Sequence, residues 1–360
     1  MPAMQAGGAE RSTVEIAAAL VHAGHRAVVV SAGGRMESAL LAAGGEHRSM
    51  DIGSKRLATW FRAGALARLL RDLKPDIVHA RSRLPAWLGW RALRRAGLDH
   101  AHFVTTVHGL NRPGRWSSIL TRGERVIAVS ATVRAHLLAH YPALDAARIR
   151  VIPRGIDPAA FPRGYRPDAA WNNAFFDTFP QLRGGRLLTL PGRGTRLKGH
   201  AHAVRLLADL RARGVDARLL LLGAADTGRG GYFDEIHALA RELGVREHMA
   251  VSPQREDVRD VYALSDLVLQ LSTQPEAFGR TVIEALALGR PVLGYDHGGV
   301  GELLRAHYAQ GLSPAGDAQA LAVRALALLE EAPEPPVLQG CLLADMQAAT
   351  LAVYRELVPA

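Results

Sequence analysis

The chain has 360 residues, 48% of them hydrophobic and 22% charged, which excludes a disordered chain. Because this length exceeds what one hydrophobic core usually serves, we expect two domains. The formal net charge of +10 favours an anionic partner, such as a phosphorylated ligand, an anionic membrane or a nucleic acid.

The first residues leave little room for a strand. A helical pattern begins near Ala9, so Met1–Gly8 is too short for the apolar strand that usually lies at the centre of a doubly wound domain. A missing central strand would leave unpaired backbone groups on both of its neighbours. The sequence therefore predicts a first strand that is missing or shortened to Met1–Gln5.

Apolar runs and helical patterns alternate along the rest of the chain. The predicted strands are Arg26–Ser31, Asp76–His79, Phe103–Val107, Arg125–Ser130, Arg186–Leu190, Ala217–Leu222, Leu267–Leu271 and Pro291–Gly294. The predicted helices include Leu57–Leu73, Leu84–Arg95, His200–Arg213 and Thr281–Leu288. Continuous apolar strands separated by helices predict parallel sheets covered on both faces. The expected fold class is therefore α/β, with two doubly wound, Rossmann-like halves.

A proline-rich segment, Ile152–Pro167, has no sustained periodicity and predicts the boundary between the two halves. The predicted division is a first domain at 1–155, a linker at 156–180, a second domain at 181–340 and a C-terminal helix at 341–360. We expect a cleft between the two domains, and we expect the C-terminal helix to pack back on the first domain.

The strongest functional pattern runs from Glu276 to Glu284, with Phe278 and Gly279 between the two glutamates and a helix following. Glycine lets the backbone approach a ligand closely, and a helix N-terminus offers unpaired N–H groups to phosphates. Glu276 is suited to accept hydrogen bonds from sugar hydroxyls, and Glu284 is suited to bind both hydroxyls of a ribose. The alternative is a polar loop followed by a surface glutamate.

A basic, glycine-rich loop, Gly192–His200, forms the second pattern. Its Arg193 supplies a planar fork and its Lys198 a point charge, which are two ways of neutralising a diphosphate. The loop lacks the ending of a Walker A motif and also lacks G-x-G-x-x-G. The alternative is a basic surface loop.

Two weaker patterns lie in the first half. His108 follows a predicted strand, where ligands bind in open α/β sheets, and it is suited to hydrogen-bond a sugar or stabilise developing charge. A structural histidine is the alternative. Gly7 and Gly8 open a helix, which is weak evidence by itself.

Together these motifs resemble glycosyltransferase family 4, the retaining kind with two Rossmann-like domains known as GT-B. The resemblance rests on Gly7–Glu10, His108-Gly109, Ile152–Asp157, Gly192–Gly199 and Glu276–Glu284, in the family's usual order and spacing. Val78–Arg83 and Gly298–Glu302 look most like members that build lipopolysaccharide and other surface polysaccharides. Arg154 stands where many members carry asparagine.

The resemblance implies a nucleotide-diphosphate sugar as donor and no cofactor. The implied donor-binding residues are Gly8, Arg193, Lys198, Glu276, Phe278, Gly279 and Glu284. The implied catalytic residues are His108, Glu276, Arg193 and Lys198. Positive charge and helix dipoles would stabilise the leaving diphosphate without a protein nucleophile. There is no D-x-D metal motif, so we expect no metal site and a metal-independent reaction.

The expected acceptor is a saccharide or glycolipid at the membrane. The Leu57–Leu73 helix and the Arg81–Arg95 stretch carry arginines with Trp60, Trp87 and Trp90 among them. Basic helices with tryptophans can rest on an anionic leaflet, although solvated arginines on ordinary helices are the alternative. With one cysteine, no signal peptide pattern and no apolar run near 20 residues, we expect a cytoplasmic protein, peripheral on the inner membrane face.

Two other functions remain open. A nucleotide-sugar 2-epimerase shares the two-domain architecture but acts on the donor without an acceptor. A basic, non-catalytic binding protein would explain the charge. Nucleic acid is not an expected partner, because aromatic residues make up only 6% and no recognised module appears.

Overall fold

The computed structural model describes residues 1–5, 7–54, 56–225, 230–331 and 333–358. The chain forms two compact units, one made of Met1–Gly155 with Cys341–Ala360 and the other of Ile156–Gly340. Both are α/β, and all strand pairs among the described residues are parallel. The predicted fold class is therefore confirmed.

The first unit carries two separate sheets. Its helices before the boundary are α1 (Gly8–His22), α2 (Glu37–Ala42), α3 (Leu57–Leu73), α4 (Arg83–Ala96) and α5 (Ala131–His140). Its strands are β1 (Val28–Ser31), β2 (Glu46–Ser49), β3 (Ile77–Ala80), β4 (His102–Val107), β5 (Arg125–Ala128) and β6 (Ile149–Val151). β1 pairs with β2, and β3-β4-β5-β6 form the second sheet.

No strand precedes α1 among the described residues, as the sequence predicted. Instead, a short extended segment runs beside β1. The Met1 ammonium donates to the Val30 carbonyl at 2.9 Å, and the Met4 amide donates to the Gly33 carbonyl at 2.8 Å. Met4 is fully buried, so this segment is fixed by packing as well as by hydrogen bonds.

Helices α3 and α4 pack together through matching apolar stripes. On α4, Leu84, Leu88 and Ala92 recur at a spacing of four and are all buried. On α3, Leu66 and Leu70 face them in the same cluster. This spacing places the side chains on one face of each helix, so the pair covers one side of the first unit's sheets.

The second unit holds a single six-stranded sheet. Its helices are α6 (Ala169–Thr178), α7 (His200–Ala212), α8 (Gly230–Glu242), α9 (Val258–Leu264), α10 (Arg280–Ala287), α11 (Gly298–His307) and α12 (Ala318–Glu331). Its strands are β7 (Arg186–Pro191), β8 (Ala217–Leu222), β9 (Met249–Val251), β10 (Leu267–Gln270), β11 (Val292–Tyr295) and β12 (Leu312–Ser313). Their order is β12-β11-β10-β7-β8-β9.

The predicted linker at 156–180 is not a separate segment, because it lies within the second unit and contains α6. The Asp168 carboxylate caps this helix by accepting from the Trp171 amide at 2.7 Å. The Trp171 indole then donates to Asp257 at 2.8 Å, and Phe175 is buried. The cap and these packing contacts hold the segment on the second unit.

The last helix, α13 (Leu343–Arg355), belongs to the first unit. Its Met346 and Val353 are buried in one cluster with Ile16 of α1 and Ile127 of β5. A Cβ at Gly155 would lie 2.4 Å from the Leu342 carbonyl oxygen. Glycine at this position therefore allows the C-terminal chain to cross close to the unit boundary.

Candidate functional site

The order of the second sheet places two of the sequence motifs side by side. The chain enters at the central strand β7, builds β8 and β9 on one side, and then returns to place β10 against the other side. Ligands of open parallel sheets bind outside the carboxyl ends of the strands at such a reversal. The Gly192–Gly199 loop follows β7 and the Glu276–Gly279 loop follows β10, so both occupy this position.

Lys198 and Glu276 form an ion pair at this point. The Lys198 Nζ lies 2.7 Å from Glu276 Oε1, and about a quarter of each side chain is exposed. The Ser272 hydroxyl also donates to this carboxylate oxygen. The two loops are joined at the backbone as well, because the Thr273 amide donates to the Leu197 carbonyl at 2.8 Å. The structure therefore brings together two residues that the sequence assigned to diphosphate and sugar.

Glycines allow a third segment to reach the Glu276 loop. The Gly299 amide, in the first turn of α11, donates to the Glu276 carbonyl at 2.7 Å. A Cβ at Gly299 would lie 2.6 Å from Phe278 Cα, so no larger residue fits without a shift. Beside it, His297 Nε2 lies 2.9 Å from the Ser272 carbonyl oxygen. The Gly298–Glu302 string contributed only to the family resemblance, and neither Ser272 nor His297 was predicted as a site residue.

Glu284 is not a solvent-facing glutamate, because it is only 6% exposed. Its carboxylate lies 3.1 Å from Arg280 Nε, one turn earlier in α10. Tyr262 is also buried there, and its pKa is raised well above the usual value, first by burial and then by the negative charge of Glu284. Gly279 precedes α10 with a φ of +141°, a conformation that glycine adopts readily.

The cations of the basic loop have different partners. Arg196 pairs with Glu235 at 2.5 Å, and its guanidinium lies 5.1 Å from the centre of the Tyr232 ring. Arg193 is exposed, and its guanidinium has no ion pair or hydrogen bond within the part of the chain that the structure describes. Arg193 is therefore the cation of this loop that is most readily available to an anionic ligand.

His108 lies in the first unit, directly after β4, and is held by Arg154. The Arg154 Nη2 is 3.2 Å from His108 Nδ1. A guanidinium only donates, so Nδ1 accepts and the proton of a neutral imidazole is on Nε2. Burial, followed by the positive charges of Arg154 and Arg81, lowers the pKa of His108 well below its usual value. Nε2 is buried without a hydrogen-bond partner among the described residues.

Two arginines converge on the start of α1 near His108. Arg81 Nη2 donates to the Ser12 hydroxyl at 2.7 Å, and Arg154 Nη1 donates to the same oxygen at 2.9 Å. Both side chains are buried. Neither arginine was predicted as a site residue, although both occur in strings that resemble those of the family.

Gly8 also lies in the first unit, as the exposed first residue of α1. A Cβ there would meet no atom within 4 Å. Packing in the first unit therefore does not require glycine at this position. Of the predicted site residues, the structure places Gly8 and His108 in the first unit and all the others in the second.

In the described ranges, no three His, Cys, Asp or Glu side chains are placed to hold one metal ion. None of the helices described is long and apolar enough to cross a membrane.

The two parallel, doubly wound units define the GT-B class of fold. Residues 6–160 match the model of Glycosyltransferase Family 4, and residues 179–338 match that of Glycosyl transferases group 1. Each of these two glycosyltransferase models therefore matches one domain of the chain.

A curated relative is the D-inositol 3-phosphate glycosyltransferase of Xylanimonas cellulosilytica, 30% identical over 62% of this chain and 56% of the relative. The chain thus spans little more than half the length of this relative. Among solved structures, a glycosyltransferase from Rickettsia africae matches with a TM-score of 0.85 and 26% identity, covering 99% of this chain and 97% of the other. Anabaena HepE in complex with UDP and glucose matches with a TM-score of 0.76 and 21% identity, covering 98% and 95%, which shows a shared fold.

Proposed function

We propose that this chain is a retaining glycosyltransferase that moves a sugar from a nucleotide-diphosphate donor to an acceptor hydroxyl. The observation that carries this proposal is the Lys198–Glu276 pair at the reversal of the second sheet. A diphosphate would compete for the Lys198 ammonium and release the Glu276 carboxylate for sugar hydroxyls. One pair of side chains would then bind both parts of the donor.

The surrounding residues would complete the donor site. Arg193, whose guanidinium has no partner among the described residues, would bind the diphosphate as a bidentate fork. Glu284 would accept hydrogen bonds from the ribose hydroxyls, and the backbone of Phe278 and Gly279 would contact the sugar. We assign the Gly8 loop of the first unit to the phosphates.

In the proposed reaction, the bond from the anomeric carbon to the diphosphate oxygen breaks, and a bond to the acceptor oxygen forms on the same face. The acceptor proton passes to the departing diphosphate oxygen, so no protein nucleophile is needed. Lys198 and Arg193 would stabilise the negative charge that develops there. The Nε2–H group of His108 would donate a hydrogen bond to the sugar. We expect turnover to need no metal ion and no cofactor.

A screen of UDP-, GDP-, ADP- and CMP-sugars tests the donor site. We expect one nucleotide sugar to raise the Tm of the protein, as binding to the folded state alone requires. Glu284→Ala should abolish that shift, whereas Glu330→Ala, an exposed glutamate on α12, should keep it. UDP-glucose is the first donor to test, because the HepE structure holds UDP and glucose.

The products of the same screen separate the enzyme classes. Transfer of labelled sugar to an acceptor, with the anomeric configuration kept, would support the proposal. A changed sugar still attached to its nucleotide would instead identify a 2-epimerase. A folded protein that binds none of the four nucleotide sugars would contradict an enzymatic role and favour a basic binding protein.

For the acceptor we propose a lipid-linked saccharide of lipopolysaccharide or surface polysaccharide synthesis, reached at an anionic membrane surface. A tryptophan–arginine cluster in the first unit supports this. Trp60, Trp87, Trp90 and Trp116 contact one another with ring centres 5.9–6.2 Å apart. Arg91, Arg94 and Arg122 lie over these rings. The name of the curated relative favours a second acceptor, an inositol phosphate, which belongs in the same transfer assay.

Binding to vesicles tests the membrane contact. Phe61, beside Trp60 on α3, is 84% exposed and would insert its ring into the interface. We expect the protein to co-sediment with vesicles rich in phosphatidylglycerol and to stay in solution with neutral phosphatidylcholine. Phe61→Ser should weaken binding by roughly tenfold, as expected for an apolar side chain that is no longer buried. Val323→Ser, an exposed apolar side chain on α12, is the control. Equal co-sedimentation with anionic and neutral vesicles would contradict the proposal.

A further inference from the structure

The Gly192–Gly199 loop is supported by helix α8. Its Gly194 packs directly against this helix, because a Cβ added at Gly194 would clash with the Phe233 ring. On its exposed side, the Arg196 guanidinium pairs with Glu235 of the same helix. An exposed ion pair of this kind contributes little to stability. The position of the loop therefore depends mainly on its buried contacts.

A buried histidine lies at the end of this loop. His200 is the first residue of α7, and none of its surface is exposed. Its Nδ1 lies 3.3 Å from the Tyr232 hydroxyl of α8. The rings of Tyr232 and Phe233 meet the imidazole edge to face, with ring centres 5.8 and 5.9 Å away. The His200 ring therefore connects the end of the loop to α8.

The same ring lies beside the backbone of the loop. Burial lowers the pKa of His200 to about 4. The Thr195 carbonyl acts in the opposite direction, as does that of Gly192, because a carbonyl oxygen beside the ring favours its protonated form. Burial has the larger effect, so His200 is neutral at pH 7. It adds no positive charge beside Arg193 and Lys198, which are the proposed ligands of the diphosphate.

Packing alone does not select a histidine at this position. The Nε2 of His200 is buried without a hydrogen-bond partner among the described residues. Burying such a polar atom costs free energy, and leucine or phenylalanine would fill the same space without that cost. When the Tyr232 hydroxyl donates to Nδ1, the proton of the neutral ring is on Nε2. The ring then offers one N–H donor to the carbonyls of the loop.

The direction of a loop carbonyl fixes the direction of the next amide. In a trans peptide, the C=O and N–H bonds point to opposite sides. A hydrogen bond from His200 to the Gly192 carbonyl would therefore turn the Arg193 amide away from the ring. A bond to the Thr195 carbonyl would do the same for the Arg196 amide. Successive backbone N–H groups held in this way are suited to bind phosphate oxygens.

We propose that His200 is a positioning residue for the loop that binds the diphosphate. It acts through the carbonyls of Gly192 and Thr195, and the Tyr232 hydroxyl orients its ring. Because it is fully buried, it contacts no substrate itself. This inference rests on the proposed function, since it requires that the loop binds a diphosphate. It adds a division of the donor, because His200 should affect binding of the diphosphate and not binding of the nucleoside.

The affinities of the full chain for UDP and for uridine separate this role from a general structural one. If the donor screen selects another base, the corresponding pair replaces them. His200→Phe keeps a ring and removes both nitrogens. We expect it to weaken UDP binding about tenfold, the effect of losing roughly one net hydrogen bond, and to leave uridine binding unchanged. His200→Gln keeps an acceptor and an N–H donor and should recover most of the UDP affinity.

Two further variants complete the test. Tyr232→Phe removes one hydroxyl from a half-buried side chain and keeps the ring that lies under Arg196, so it should fold even if His200→Phe does not. We expect it to weaken UDP binding about threefold and to leave uridine binding unchanged. His202→Phe is the matched control. His202 also lies on α7 and also contacts a tyrosine hydroxyl, but its partner is Tyr295 of β11 at 2.6 Å. Both affinities should stay at the wild-type values.

The possible failures lead to different conclusions. If the wild type bound no nucleoside diphosphate, the proposed function would be wrong, and this inference with it. If the wild type bound UDP, and His200→Phe and Tyr232→Phe bound it equally well, the inference alone would be overturned. Equal weakening of UDP and uridine binding would also overturn it, because that result would give His200 a general structural role.

Discussion

Lys198→Ala is expected to lower kcat by about 10²–10³-fold, the usual effect of removing one preorganised group that stabilises charge in a transition state. In the proposed reaction, negative charge develops on the leaving diphosphate, and Lys198 lies at the carboxyl end of β7 where that group would bind. Its ammonium lies 2.7 Å from Glu276, the partner that a bound diphosphate would replace.

Substitution of Glu276, the ion-pair partner of Lys198, should affect donor binding and sugar transfer differently. Glu276→Gln keeps the size of the side chain and removes its charge, leaving Lys198 without its ion pair. We expect nucleotide diphosphate to bind this variant at least as well as the wild type, because the carboxylate no longer competes for Lys198. Transfer should nevertheless fall, because the amide is a weaker acceptor for sugar hydroxyls.

Steady-state kinetics and nucleotide binding measured on the same variants would separate these roles. Arg324→Ala, an exposed arginine on α12, removes one positive charge from the same unit and should leave both quantities unchanged. Lys198→Arg should recover part of the activity, since it restores charge at the site. A Lys198→Ala enzyme with wild-type kcat would place the charge stabilisation elsewhere.

His108→Ala is expected to lower kcat/KM by about 100-fold, and His108→Gln, which retains an N–H donor, should lose less. The imidazole is expected to act as a neutral donor, because Arg154 occupies Nδ1 and leaves the proton on Nε2. His100→Ala, an exposed histidine of the same unit, is the control. Wild-type activity in His108→Ala would leave this histidine with a structural role only.

The pH dependence follows from the lowered pKa of His108. As the pH falls through 6.5, an ordinary histidine gains a proton, but His108 stays neutral. Titration of His108 should therefore cause no change in the rate of sugar transfer near pH 6.5. The unfolded chain binds that proton, so His108 makes the free energy of unfolding decrease as the pH falls below 6.5. Arg154→Gln removes one cause of the shift, and the effect of His108 on activity should move to higher pH. If the wild-type activity showed a step at pH 6.5 and His108→Gln removed that step, the expectation that His108 stays neutral would be contradicted.

The predicted fold followed from local patterns. The run Ala217–Leu222 forms β8 with the predicted bounds, because every residue except Arg218 is apolar, as expected for a parallel strand covered on both faces. The second strand, Glu46–Ser49, was missed because it is polar and lies at the edge of its sheet, where burial does not select apolar residues. Helix α6 was missed because proline-rich chain precedes it and its stability comes from the Asp168 cap and from contacts with the second unit.

By itself the sequence determined the α/β alternation and the two loops that carry Lys198 and Glu276, since periodicity and glycine placement are properties of neighbouring residues. Only the tertiary structure decided that these two side chains meet, because their contact depends on the return of β10 to the side of β7. The tertiary structure also decided the protonation of His108. That state depends on burial and on Arg154, which lies 46 residues along the chain, and neither can be found from local sequence.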